Sequence, residues 1–131
     1  MTSVADTRLL FILEFPYSPE VKQKTRAFLE KELKEYLLAP TIVLTEFVRI
    51  AGARIGEEAS KNRLRLLKER GMKIGPLDEE LALIAGSLLL SHRNMSSADA
   101  IIASYVKAGL AEYVATDDPH FKELGVKTKW L

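Results

Sequence analysis

An α/β domain with a mostly parallel sheet is the fold this sequence predicts, and three observations predict it. Short apolar runs alternate with longer helix-like segments along the whole chain, the pattern of strands joined by helical crossovers. The length of 131 residues suits one ordinary domain, and no internal repeat, low-complexity tract or long linker divides it, so residues 1–131 read as one unit. The chain is 47% hydrophobic and 28% charged, which supplies a real core and is too apolar for disorder.

The elements follow in order. Thr2–Ala5 is short, mostly small, and ends at Asp6, so it reads as a first strand, followed by a short apolar helix over Arg8–Glu14. Ser18-Pro19-Glu20 starts a second helix: Ser caps, Pro suits the first turn and Glu complements the dipole. That helix runs to about Glu35, with Val21, Ala27, Phe28, Leu29 and Leu33 as its expected inner face. Tyr36–Ala39, held extended before Pro40, is the second strand. Pro40-Thr41 then opens a helix from Ile42 to about Arg54, which Gly56 breaks. A basic amphipathic helix spans Glu57–Arg70 and ends at Gly71. Met72-Lys73-Ile74 is the third strand. Asp78 caps an apolar helix through Ser91, and Ser96-Ser97-Ala98-Asp99 starts another over Ala100–Ala108, stopped by Gly109. Glu112–Thr116 is the fourth strand, Asp118-Pro119 begins a turn or short helix, and Val126–Leu131 is the last strand.

Composition excludes several functions. With no cysteine, disulfides and thiolate metal sites are ruled out. Nineteen basic residues against 18 acidic ones give a net charge of +1, unlike a protein that grips nucleic acid by overall charge alone. No basic region followed by an apolar run and cleavage site opens the chain, and Leu81–Leu90 is too short to span a bilayer, so a soluble cytoplasmic protein is expected.

The acids fall where such a sheet would use them. Ligands of open parallel sheets bind beyond the carboxyl ends of the strands, where strand order reverses. Asp6 lies just past the first strand, and Asp117 and Asp118 just past the fourth. Glu46 and Asp99 lie early in helices that start near the same edge. Carboxylates gathered there repel one another, and a hard divalent cation removes the conflict. Oxygen donors without a thiolate or histidine cluster suit Mg²⁺ or Mn²⁺ better than zinc.

Four strings carry a family resemblance. Val4-Ala5-Asp6-Thr7-Arg8-Leu9-Leu10 resembles the opening motif of PIN domains, and Thr45-Glu46-Phe47-Val48 the second motif. Ser97-Ala98-Asp99-Ala100-Ile101-Ile102-Ala103 is similar to the third acidic motif. Thr116-Asp117-Asp118-Pro119-His120-Phe121 is similar to the fourth, with Asp118 in the acidic position. The four occur in the family's order across almost the entire chain. The resemblance implies a three-layer α/β/α fold with a parallel sheet of about five strands. It also implies Mg²⁺- or Mn²⁺-dependent cleavage of single-stranded RNA, after the manner of VapC-type toxins, which are dimers restrained by a small antitoxin. Asp6, Glu46, Asp99 and Asp118 would be the catalytic, metal-binding carboxylates, with Asp117 a further candidate, and Thr116 resembles the family's hydroxyl near the site.

Two positions depart from the pattern. Many members carry Asn or Ser where this chain has Arg8, a cation that would neutralise part of the cluster or grip a phosphate. Asp117 adds a carboxylate beside Asp118, to tune the site or serve as a solvated turn residue.

Plainer roles compete with these. Asp6 and Asp118 also read as helix caps, Asp99 as a partner of a helix dipole, Glu46 as a solvated helix residue and His120 as a surface or capping group. Leu81–Leu90 and Ile101–Val106 read as core or dimer interface rather than a cofactor box; on the functional side, Arg49 and Arg93 are candidate phosphate contacts. A PIN-like RNA-binding or assembly module without turnover, and a DNA-directed nuclease, stand as alternatives to the ribonuclease.

Overall fold

The computed structural model describes residues 2–131. Its strands are β1 (Ser3–Ala5), β2 (Leu37–Pro40), β3 (Lys73–Gly75), β4 (Tyr113–Ala115) and β5 (Lys127–Lys129). They form one sheet in the order β3-β2-β1-β4-β5, with every pairing parallel. The helices are α1 (Thr7–Glu14), α2 (Pro19–Glu35), α3 (Thr41–Ile55), α4 (Glu57–Glu69), α5 (Glu79–Ser91), α6 (Ser97–Lys107) and α7 (His120–Glu123). They sandwich the sheet in the three-layer α/β/α arrangement that the resemblance implies.

The central strands β1 and β2 are buried along their whole length, while the edge strands β3 and β5 are partly exposed. That is the burial expected of a parallel sheet covered on both faces. The core runs from Val4 and Leu37 in the sheet to Leu9, Leu29, Phe47 and Ile102 on the helices around it. Tyr105 of α6 is fully buried and donates its hydroxyl hydrogen bond to the Gly75 carbonyl, which ties α6 to the edge strand β3. An added Cβ on Gly75 would lie 2.9 Å from both Tyr105 and Leu38, so this contact needs glycine.

Local signals set the helix ends. Ser18, Asp78 and Ser96 each accept a hydrogen bond from the backbone N–H three residues on. Gly71 and Gly109 follow α4 and α6 with positive φ, a conformation glycine adopts without penalty.

Several details differ from the sequence expectation. Ser96 is the cap, so α6 starts at Ser97 rather than Ala100, while Asp99 keeps the first-turn place expected of it. Each strand is shorter or shifted by a residue or more at its ends, and Tyr36 closes α2 instead of opening β2. On α2 the buried positions are Thr25, Phe28, Leu29 and Glu32, a strict i, i+3, i+4, i+7 stripe. Ala27 falls outside that stripe and is exposed. Glu32 takes the place hydropathy alone would not give it, because Lys129 of β5 reaches it at 3.0 Å. Of the two apolar stripes, Ile102 to Tyr105 belongs to the core. On α5 only Leu81 and Ala85 are buried, whereas Leu83 and Leu90 are 68% and 79% exposed. Among the described residues, no helix is long and apolar enough to cross a membrane.

Candidate metal centre

Strand order reverses between β1 and β4, so the crevice beyond their carboxyl ends is the place where this fold can hold a ligand. Asp6 follows β1 directly and is 4% exposed. It stands at the cap position of α1, yet its side chain makes no cap hydrogen bond. Its Oδ2 instead accepts a hydrogen bond from the Thr116 hydroxyl at 2.7 Å. The same Thr116 oxygen accepts from the Asp118 backbone N–H at 3.0 Å. One buried threonine at the end of β4 therefore fixes both the first acid and the loop that carries the fourth.

The other acids come from three directions. Asp118 Oδ1 accepts from the His120 backbone N–H at 2.9 Å and lies 3.1 Å from His120 Nδ1. The Asp99 N–H donates to Ser96 Oγ, which points the first turn of α6 at the cleft. Glu46, in the second turn of α3, accepts from the Thr7 hydroxyl at 2.6 Å. Ligand atoms of Asp99, Asp118 and His120 lie within 4.8 Å of one another. Asp6 and Glu46 stand outside that tight group but within reach of its charge.

The electrostatics record this crowding. Burial pushes the Asp6 carboxyl up to about 6; the Thr116 hydrogen bond opposes the rise, and repulsion from Asp99 and Asp118 adds to it. Asp99 is also raised, first by burial, with Asp118 and Glu46 contributing repulsion and Ser96 opposing. Asp6 and Asp99 thus resist ionising, first because they are buried and then because of neighbouring carboxylates, a condition that a bound divalent cation relieves. The donors are carboxylate oxygens with one imidazole in reach. They fit a hard divalent ion of the Mg²⁺ or Mn²⁺ type, and Asp6, Glu46, Asp99 and Asp118 are the groups that would hold it.

Arg8 does not point freely into the cleft. Its Nε donates to Asp117 Oδ1 at 2.6 Å and its Nη2 to Asp117 Oδ2 at 3.1 Å, so the two residues unexpected in the motif are partners. Arg49 and Arg93 are exposed. Arg93 lines a cavity of about 480 Å³ with His92, Asn94 and His120, next to the acids. A larger groove of about 660 Å³ lies away from them, among Leu13, Arg26, Leu29, Arg63 and Arg70. The acidic cleft is the candidate site because two of its carboxylates, Asp6 and Asp99, are held above their ordinary range, whereas the larger groove mixes acids with bases that can offset them.

The cleft gathers all four acids named from the sequence, together with Thr116. Sequence reasoning passed over Thr7, whose only signal was its place next to Asp6, and set His120 aside as a surface group.

Comparison with known proteins fits this geometry. A family model described as "PIN domain" matches residues 6–127. No curated protein matches the chain. Among solved structures, VapBC2 from Rickettsia felis, bound to a DNA fragment from its promoter, superposes with a TM-score of 0.79 at 18% identity. The match covers 99% of this chain and 98% of that one. Mycobacterium tuberculosis VapC20, described as a sarcin-ricin loop cleaving toxin, gives 0.79 at 14% identity over 97% of each chain. FitAcB from Neisseria gonorrhoeae gives 0.70 at 24% identity over 98% of this chain and 96% of that one. At such identities the likeness is one of fold.

Proposed function

The chain belongs to the PIN-domain family, and from that premise we propose that it is a divalent-metal-dependent endoribonuclease. Its substrate is single-stranded RNA, and it works in the cytoplasm as the toxin of a toxin–antitoxin pair. The convergence of Asp6, Glu46, Asp99 and Asp118 on one cleft, with Asp6 buried and its carboxyl at about 6, carries the reading. Mg²⁺ or Mn²⁺ held there would lower the pKa of water and offset charge on phosphate oxygens. The chain's own residues do the rest. Thr116 orients Asp6 and the loop bearing Asp118, Thr7 orients Glu46, and Ser96 sets the start of α6 so that Asp99 faces inward. Arg93 and Asn94, in the cavity beside His120, offer donors to the phosphodiester backbone on either side of the cut.

Partners follow the same reading. Two solved structures of the same fold are described as a sarcin-ricin loop cleaving toxin and as a toxin–antitoxin complex from Klebsiella pneumoniae, which supports a small antitoxin as the restraint on this chain. The exposed apolar side of α5, with Leu83 and Leu90, supports a homodimer. A non-catalytic RNA-binding module would require Arg8 to disable the acids, and the Arg8–Asp117 pair weakens that ground.

The deciding experiment incubates purified, antitoxin-free protein with labelled single-stranded RNA in Mn²⁺, Mg²⁺ or EDTA, beside Asp99→Asn. Metal-dependent cleavage lost in the variant supports the nuclease. Binding of several RNAs without any cleavage by well-folded protein would replace it with the binding module. Cutting of single-stranded DNA in preference to RNA would make it a DNA-directed nuclease.

A further inference from the structure

Arg8 and Asp117 face each other across the acidic cleft. Arg8 lies in the first turn of α1, two residues after Asp6, and Asp117 directly precedes Asp118. Although 109 positions apart, they form a two-pronged pair of the fork type, Nε to Oδ1 and Nη2 to Oδ2. Arg8 is about half exposed and Asp117 more than a third. An ion pair so exposed contributes little to stability, so stability alone gives no reason for an added base and an added acid to stand together at this place.

The charges suggest another reason. Arg8 is a permanent cation on a long side chain, next to the carboxylates a divalent ion needs. Besides the Asp117 hydrogen bond, Asp6 and Asp118 both strengthen the hold of Arg8 on its proton. An untethered guanidinium there would form its fork with Asp6 or Asp118 and occupy the oxygens meant for metal.

We propose that Asp117 is a positioning residue that tethers Arg8 at the rim of the cleft, leaving Asp6 and Asp118 free for a divalent cation. The inference rests on the metal-nuclease reading above. It makes the two departures from the family pattern a single unit: the acid neutralises the base, and the four-carboxylate site keeps its usual charge.

The test is a double-mutant cycle on Mn²⁺ affinity, read from the paramagnetic resonance signal of free Mn²⁺ with the full chain. Asp117→Asn is expected to weaken Mn²⁺ binding roughly tenfold, the order expected of one unit charge moved a few ångströms at a partly exposed site. In the Arg8→Asn background the same change should cost no more than about threefold, because only the more distant charge is then lost. Simple charge deletion would give equal effects in both backgrounds. Thermal melting of the metal-free proteins adds a second reading. Loss of a merely structural pair so exposed would leave the melting temperature of Asp117→Asn unchanged or slightly lower, whereas an Arg8 released onto the buried Asp6 raises it. Wild-type Mn²⁺ affinity in Asp117→Asn, or a double variant as weak as that single one, overturns the tether and leaves the nuclease reading intact. Failure of the wild type to bind Mn²⁺ overturns both.

Discussion

Two buried carboxylates in this molecule are treated in opposite ways. Glu32 on α2 is 1% exposed and holds a resident cation, Lys129 of β5, at 3.0 Å. Asp6 after β1 is 4% exposed and has only the Thr116 hydroxyl as a side-chain donor, with Asp99 and Asp118 nearby to repel it. A structural carboxylate is given its counter-charge by the chain. A carboxylate kept without one, in company with its own kind, has its counter-charge to come from outside. The contrast marks Asp6 as a candidate metal carboxylate on physical grounds alone.

The sharpest way to break the contrast is at the acids. Asp6→Asn or Asp99→Asn keeps the shape and removes a charge, and is expected to reduce RNA cleavage at least about a thousandfold, roughly 4 kcal/mol of barrier. Single-turnover assays check this, and wild-type turnover in either variant refutes the role of that acid. Next, Lys129→Met strands the Glu32 charge in the interior. It should cost about 3 kcal/mol of stability, the low end for a broken buried pair because Lys129 is partly exposed, with Glu32→Gln in the same chain recovering much of the loss. Denaturant unfolding reads both.

Smaller effects come from pH. The Asp6 carboxyl titrates near 6 in the fold and near 3.8 unfolded, so the folded state binds more protons between those values. Stability of the metal-free protein therefore falls as pH rises from about 4 to 6, by roughly 2–3 kcal/mol. Asp6→Asn should reduce that slope to the part due to Asp99 and raise the metal-free melting temperature at pH 7. Added Mn²⁺ should stabilise the wild type more than the variant. Equal slopes in both proteins would assign the titration to another group. The smallest change is Thr116→Val, which deletes one hydrogen bond to Asp6 and one to the Asp118 backbone N–H. Roughly tenfold slower cleavage is expected, with the Asp6 titration moving further upward in an NMR pH series.

Much of the site was legible because its acids follow strands or open helices, and local sequence marks those points. The sequence puts Asp6 past β1, Asp118 past β4 and Asp99 in a first helical turn, and the fold places each there. What stayed hidden depends on long-range contact. Nothing near Arg8 announces Asp117 as its partner. Glu32 looks like one more solvated charge until β5 brings Lys129 over it, and the exposure of Ala27 follows from the same stripe. The Leu-rich α5 reads as core by hydropathy, and periodicity does not tell an inner face from an outer one when nearly every position is apolar. His120 was set aside as a surface group, which its exposure supports, but backbone geometry also brings its ring to Asp118.

The central position of β1 also governs when the acidic cleft can first exist. A chain made from its N-terminus has Asp6 and Glu46 early, and β2 can pair with β1 long before Asp99 is made. The other neighbour of β1 is β4, whose residue Val114 pairs with Val4. Until that strand arrives, Asp6 lacks Thr116 and the cleft has only one wall. The four-acid cleft is thus incomplete through most of synthesis, and any event that peels β4 from β1 would take it apart while leaving the β3-β2-β1 half of the sheet paired.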